Sequence, residues 1–145
     1  MKYNTEVVIN LPIAKVIELF DNSDNMKKWQ PELVSYEHLS GTPGEVGAKA
    51  KLNYKMNKRE VEMIETITER DLPKKFSGTY EANGVMNYIS NTFEEIEPGK
   101  TKWVAENEFQ FKGFMKLMGM LMPGAFKKQS QKYLDQFKAF AEAEV

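Results

Sequence analysis

Residues 80–111, "YEANGVMNYISNTFEEIEPGKTKWVAENEFQF", decide the fold. Two turn dipeptides, Asn83-Gly84 and Pro98-Gly99, cut the stretch, and between them apolar and polar residues alternate, as in strands with one buried face. In the last segment Thr101, Trp103, Ala105, Asn107, Phe109 and Phe111 share a face. Lys102, Val104, Glu106, Glu108 and Gln110 share the other, so the first set is predicted to point inward. The segment before it turns Val85, Asn87, Ile89, Asn91 and Phe93 the same way. Links this short force antiparallel neighbours, because parallel strands need a crossover of about a dozen residues.

Working outward, the same pattern recurs upstream in residues 33–39, 46–56, 59–70 and 75–83, joined by "SGTPGEVG", "NK" and "DLP". Val46, Ala48, Ala50, Leu52, Tyr54 and Met56 are expected inward in one of these, and Val61, Met63, Glu65 and Ile67 in the next. Residues 2–10 alternate as well, and Leu11-Pro12 then opens a helix carrying Ile13, Val16, Ile17 and Phe20 at helical spacing. Ser23 or Asp24 is expected to cap a second short helix ending near Trp29. After Gly113 the period turns helical to the end. On one uninterrupted helix Met115, Met118, Met122, Phe126, Tyr133, Phe137 and Phe140 fall on one face, although Pro123 must bend the chain or start a new helix. The predicted architecture is α+β: a strongly curved antiparallel sheet of about seven strands in the order β-α-α-β6-α, wrapped around a long C-terminal helix, with an apolar cavity between them.

The bulk composition narrows the function. One domain, residues 1–145, suits a chain of 145 residues, and a formal net charge of −1 supplies no field to gather nucleic acid. The absence of cysteine removes disulfides and thiolate sites, and no metal or cofactor is expected. The alternating amino terminus does not resemble a signal peptide, so a cytoplasmic location is expected. Residues 113–126, "GFMKLMGMLMPGAF", fall short of the roughly 20 apolar residues of a membrane span and are broken by Lys116, so no stable membrane insertion is expected.

Five phrases in order, "VVINLPIAKVIELFDN", "KKWQPELVSYE", "GTPGEVGAKAKLNY", "ETITERDLPKKFSGTYE" and "NTFEEIEPGKTKWVAENEFQF", resemble the START-like (SRPBCC) helix-grip superfamily, in particular its bacterial polyketide cyclase/dehydrase-like branch. The resemblance implies the helix-grip fold and one elongated apolar pocket between sheet and C-terminal helix. It implies a hydrophobic ligand such as a polyketide, quinone, isoprenoid or lipid. It carries no catalytic motif, because the superfamily shares none.

Parity then selects the candidate site. Among the inward residues Asn87, Asn91, Asn107, Glu65 and the Tyr54 hydroxyl are polar, and each needs a partner, water or a ligand group. A largely apolar slot with a few placed polar groups is what a small-molecule site looks like. Trp29, Phe76, Tyr80, Trp103, Phe109 and Phe126 are expected to supply aromatic wall, and Met115, Met118 and Met122 an adaptable lid. Two functions follow. One is binding of a hydrophobic small molecule. The other is cyclase or dehydratase chemistry on an aromatic polyketide-like substrate, with Glu65 or His38 as acid or base. His38 also reads as an ordinary surface residue. "GTPGEVG" lacks the lysine and the following helix of a phosphate loop. Phe114, Leu117, Met120 and Leu121 lie opposite the methionine face, uncovered, and suggest a homodimer contact through Leu117, Met120 and Leu121, a partner protein or transient membrane docking.

Overall fold

The computed structural model describes residues 1–56 and 58–144, apart from the side chains of Met118 and Gly119. Met118 of the predicted methionine face, and Asn57 of the predicted "NK" turn, therefore lie outside the described residues. Strand β1 (Lys2–Ile9) leads into α1 (Ile13–Phe20), a 3-10 turn (Ser23–Asn25) and α2 (Met26–Trp29). Six strands follow: β2 (Leu33–Ser40), β3 (Lys49–Met56), β4 (Arg59–Asp71), β5 (Lys75–Ala82), β6 (Val85–Glu97) and β7 (Lys100–Phe111). Two helices close the chain, α3 (Phe114–Leu121) and α4 (Pro123–Ala143).

The sheet is antiparallel throughout, in the order β1-β7-β6-β5-β4-β3-β2. The meander β2 to β7 is the predicted one. What joins its far end is β1, paired with β7 over its whole length from Lys2–Glu108 to Ile9–Thr101. Consecutive strands β1 and β2 therefore occupy opposite edges, and α1 and α2 carry the chain across the concave side between them. Neither Ser23 nor Asp24 caps α2, which starts after Asn25 without a side-chain cap; the 3-10 turn before it is capped by Asn22, whose side-chain oxygen accepts from the Asp24 amide at 3.0 Å.

Inward parity holds where it was predicted in β6 and β7: Asn91, Phe93, Thr101, Trp103, Ala105 and Asn107 are all buried. It fails at Val46, which is 61% exposed, because β3 begins only at Lys49 and the glycine-bearing link extends through Gly47. A bulge in β4 between Ile67 and Glu69 reverses parity beyond it and aligns Arg70 with Phe76. From there the Arg70 guanidinium makes a two-pronged contact with Asp21 at 2.8 and 2.7 Å, fixing the end of α1.

Pro123 does not bend a single helix; it starts a second one. Met122, at φ −132° and ψ 50°, is the joint between α3 and α4. This corrects the uninterrupted methionine face: Met122 is half exposed at 50%, because the break rotates it off the line that Phe126, Tyr133 and Phe137 continue. Helix α4 lies along β1. Its polar side chains bind that strand's free edge, Gln131 Nε2 to the Glu6 carbonyl at 3.0 Å and Lys138 Nζ to the Val8 carbonyl at 2.6 Å.

The interior is divided. A larger cluster joins α1, α2, the C-terminal half of α4 and one end of β1, β6 and β7, with Phe137, Ile9 and Val16 fully buried. A smaller one joins Leu33, Ala50, Leu52 and Tyr54 on β2 and β3. Tyr133 of α4 packs against both.

Candidate functional site

Between these two clusters, on the concave face of the sheet, the register sets side chains in transverse rows. Glu65 faces Tyr80, Tyr80 faces Asn87 and Asn87 faces Phe109, so four strands contribute one continuous line. The adjacent row runs Ile67, Gly78, Ile89, Asn107 and Tyr3. Gly78 makes room in it: a Cβ there would stand 3.7 Å from the Tyr80 ring and 3.1 Å from the Thr66 carbonyl oxygen. Tyr80 can therefore lie along the sheet rather than stand off it.

Glu65 is the chemical centre. It is 8% exposed, and the hydroxyls of Tyr80 and Tyr36 lie near its carboxyl. Burial raises its pKa, and the two hydroxyls offset part of that rise. In return Tyr36 is pushed up to about 12, by burial first and then by the Glu65 charge, and Tyr80 stands well above its ordinary value for the same reasons. Tyr54 is raised as well, chiefly by burial, and donates to Gln30 Oε1 at 2.6 Å. Tyr80 and Asn87 beside it are half-buried and keep some accessible surface.

Two amides on this face carry unsatisfied oxygens. The Asn87 and Asn107 side-chain oxygens are buried without a partner, and the Asn107 nitrogen makes only a long 3.4 Å contact to the Ala105 carbonyl. Their positions, Asn87 opposite Phe109 and Asn107 opposite Ile89, make them diagonal neighbours, about 7–8 Å apart by sheet geometry. Asn91 differs. Its oxygen accepts from Trp103 Nε1 at 2.9 Å and its nitrogen donates to the Phe76 carbonyl at 3.2 Å, so both ends are satisfied within the fold.

The helices roof this face. Phe126 packs on Phe109 and Phe111 with ring centres 5.1 and 5.3 Å away, and the Tyr3 hydroxyl bonds Ser130 and the Phe126 carbonyl. Met115 lies over the β5–β6 hairpin. Its Cγ would be 3.1 Å from a Cβ at Gly84, whose φ of +76° suits the Asn83-Gly84 turn, so helix and turn meet through the one residue without a side chain.

The expected site residues thus divide. Glu65, Tyr80, Asn87, Asn107 and Phe109 come together, with Phe126 and Met115 above, while Tyr54 stands at the smaller cluster. Trp29, Trp103 and Phe76 instead build the aromatic core around Phe20, Phe93 and Phe137. Met122 is on the outside. His38 shares the Glu65 row, but Ala50 of β3 stands between them, which separates the two strands by about 10 Å. The imidazole is exposed and its Nε2 bonds the Gly41 carbonyl at 2.7 Å. An acid–base pair of His38 with Glu65 is therefore ruled out by distance. Tyr36 and Gln30 were missed. Counted from the buried Leu33, a period of two would turn Tyr36 outward; the register shift between Leu33 and Ser35 brings it inward instead.

The surface concavities lie elsewhere. One of about 480 Å³ is bordered by outward side chains of β1, β7, β6 and β5, including Lys2, Asn4, Tyr88 and Glu106. Another, about 360 Å³, adjoins Lys74, Lys75 and Lys102. Both open to solvent; the larger also touches Ile89 and Asn107 from the outer side, while neither includes Glu65, Tyr80 or Asn87.

The Glu65 environment makes a measurable prediction. A carboxyl whose pKa is raised on folding keeps its proton in the native chain at a pH where the unfolded chain has released it. Stability must then fall as pH rises from about 4 through the raised value, and level off above it. Urea titrations of Glu65→Gln should show the variant more stable than the parent at neutral pH, with the gap closing below about pH 4. A gap independent of pH would place the titration elsewhere.

Comparison with known proteins agrees with the fold. A family model described as polyketide cyclase / dehydrase and lipid transport matches residues 1–142. No curated protein matches the sequence. Among solved structures, the Zhui aromatase/cyclase of Streptomyces sp. R1128 superposes with a TM-score of 0.81 at 12% identity, covering 98% of this chain and 93% of its own. A conserved protein of Geobacillus kaustophilus gives 0.80 at 15% identity, with 99% and 96% covered. A START superfamily protein of Mycobacterium smegmatis gives 0.73 at 8% identity, with 96% and 98% covered. At these identities the likeness is one of fold.

Proposed function

The chain belongs to the polyketide cyclase/dehydrase and lipid transport family, and from that premise we propose that it binds a hydrophobic small molecule between the concave face of the sheet and helices α3 and α4. The observation that carries the proposal is the pair of buried amide oxygens, Asn87 and Asn107, left without partners on the concave face. Leaving such a group unpaired costs about 1–3 kcal/mol, so a fold that keeps two side by side has a use for them. The ligand that fits is elongated and mostly apolar, in the range of a polyketide, quinone, isoprenoid or lipid fragment. It carries hydroxyl or carbonyl groups that meet the amides and the Glu65 carboxyl. Native mass spectrometry of protein purified from cells, followed by organic extraction, is expected to find a stoichiometric apolar adduct. Its absence, together with no thermal stabilisation by any member of a quinone, fatty-acid and aromatic polyketide panel, would refute the proposal.

A second reading, cyclase or dehydratase catalysis on an aromatic polyketide-like substrate, is favoured by one observation: a buried carboxyl with raised pKa flanked by two tyrosine hydroxyls. A carboxyl whose pKa is raised by burial holds its proton to a higher pH than an exposed one and can donate it to a ligand carbonyl. On that reading Glu65→Gln abolishes turnover and leaves ligand retention intact, whereas on the binding reading it alters retention alone.

A further inference from the structure

Helix α3 meets the rest of the fold through Met115, at the β5–β6 hairpin. Its opposite side is bare. Phe114, Leu117, Met120 and Leu121 are 73%, 51%, 72% and 69% exposed, a continuous apolar strip larger than scattered surface residues produce. The strip lies in a distinctive electrostatic setting. From Phe109 to Leu134 the sequence has no acidic residue, in a chain whose formal net charge is −1. Lys112 and Lys116 on one side and Lys127 and Lys128 on the other are exposed, and among the described residues none of the four has an acidic partner.

We propose that α3 docks the protein on the surface of an anionic lipid bilayer, with the apolar strip sunk among the acyl chains and the four lysines at the headgroups. A helix with a strongly apolar face edged by lysines is the form that lies in the plane of such an interface, and polybasic flanks draw it to anionic lipid. Docking is peripheral, since no helix of the described residues is long and apolar enough to cross a membrane. The charge pattern argues against the second-copy alternative. A twofold contact through Leu117, Met120 and Leu121 would bring the lysines of one chain against those of the other. An anionic surface instead neutralises them. The proposal concerns the outer side of α3 and stands whatever the interior binds.

Sedimentation of the full chain with vesicles is the test, comparing phosphatidylcholine alone with an equal mixture of phosphatidylcholine and phosphatidylglycerol. At low salt, binding to the anionic vesicles is expected to be at least about tenfold stronger than to neutral ones, and to decline as salt screens the lysines. Leu117→Ser with Leu121→Ser, and separately Lys116→Glu with Lys127→Glu, are each expected to weaken it about fivefold or more, with unchanged circular dichroism because all four side chains are exposed. Absence of binding to anionic vesicles, or equal binding by parent and variants, overturns the proposal. So does a concentration-dependent dimer in light scattering that Leu117→Ser dissolves while no vesicle binding is seen; that result would assign the strip to a second copy.

Discussion

Phe137→Ala is expected to cost about 3–5 kcal/mol of stability, the range for deleting a buried aromatic ring. The side chain is fully buried, and its ring centre lies 5.2 Å from Trp29, 5.3 Å from Trp103, 6.0 Å from Phe20 and 6.1 Å from Phe140. These rings come from α1, α2, β7 and α4, so one cavity there loosens four elements at once. Against a total stability of about 5–15 kcal/mol for an ordinary domain, the loss is a large share. In a chain of this length it should lower Tm by roughly 10 °C. Phe137→Leu, which refills most of the volume, is expected to lose less than half as much. A loss below about 1 kcal/mol for the alanine variant, measured by urea unfolding with unchanged m-value, would contradict the packing described.

The second large effect has opposite signs for stability and function. Asn87→Leu with Asn107→Leu replaces two unpartnered buried amides by apolar groups of similar size. In ligand-stripped protein each substitution should stabilise by about 1–3 kcal/mol, the cost of burying the amide unpaired. Ligand retention should fall at the same time by at least about tenfold, one lost charge-neutral hydrogen bond per amide being worth roughly a factor of ten. Paired chemical denaturation and native mass spectrometry would show both. A double variant that is less stable than the parent would mean that the amides support the fold, and retention unchanged within twofold would remove them from the site.

Much of this was legible in the sequence, and the boundary has physical causes. Alternation in residues 80–111 placed Asn87, Asn107 and Phe109 inward because the one irregularity, between Glu95 and Glu97, lies beside the turn and leaves the period of two intact at these positions. Glu65 was legible for the same reason, lying before the β4 bulge. The period does not survive a bulge, so neither the inward Arg70 nor the phase of Tyr36 could be read. The separation of His38 from Glu65 depends on which strand lies between them, a fact of register and not of composition. Trp103 was correctly turned inward, but whether an inward ring meets neighbours or a ligand depends on Phe20 and Phe137, which are far away in the chain. Pro123 announced a break without saying how far Met122 would rotate.

The bonds from α4 to the outer edge of β1 have a consequence for the protein at high concentration. An unpaired strand edge is a template on which another chain can add a strand, the usual start of aggregation. Here the Glu6 and Val8 carbonyls that such a strand would need are already taken by Gln131 and Lys138. At the other end of the sheet β2 carries two register irregularities that spoil it as a template. A seven-stranded sheet that never closes into a barrel is thereby kept from growing, and encounters with other molecules are left to side chains rather than to backbone.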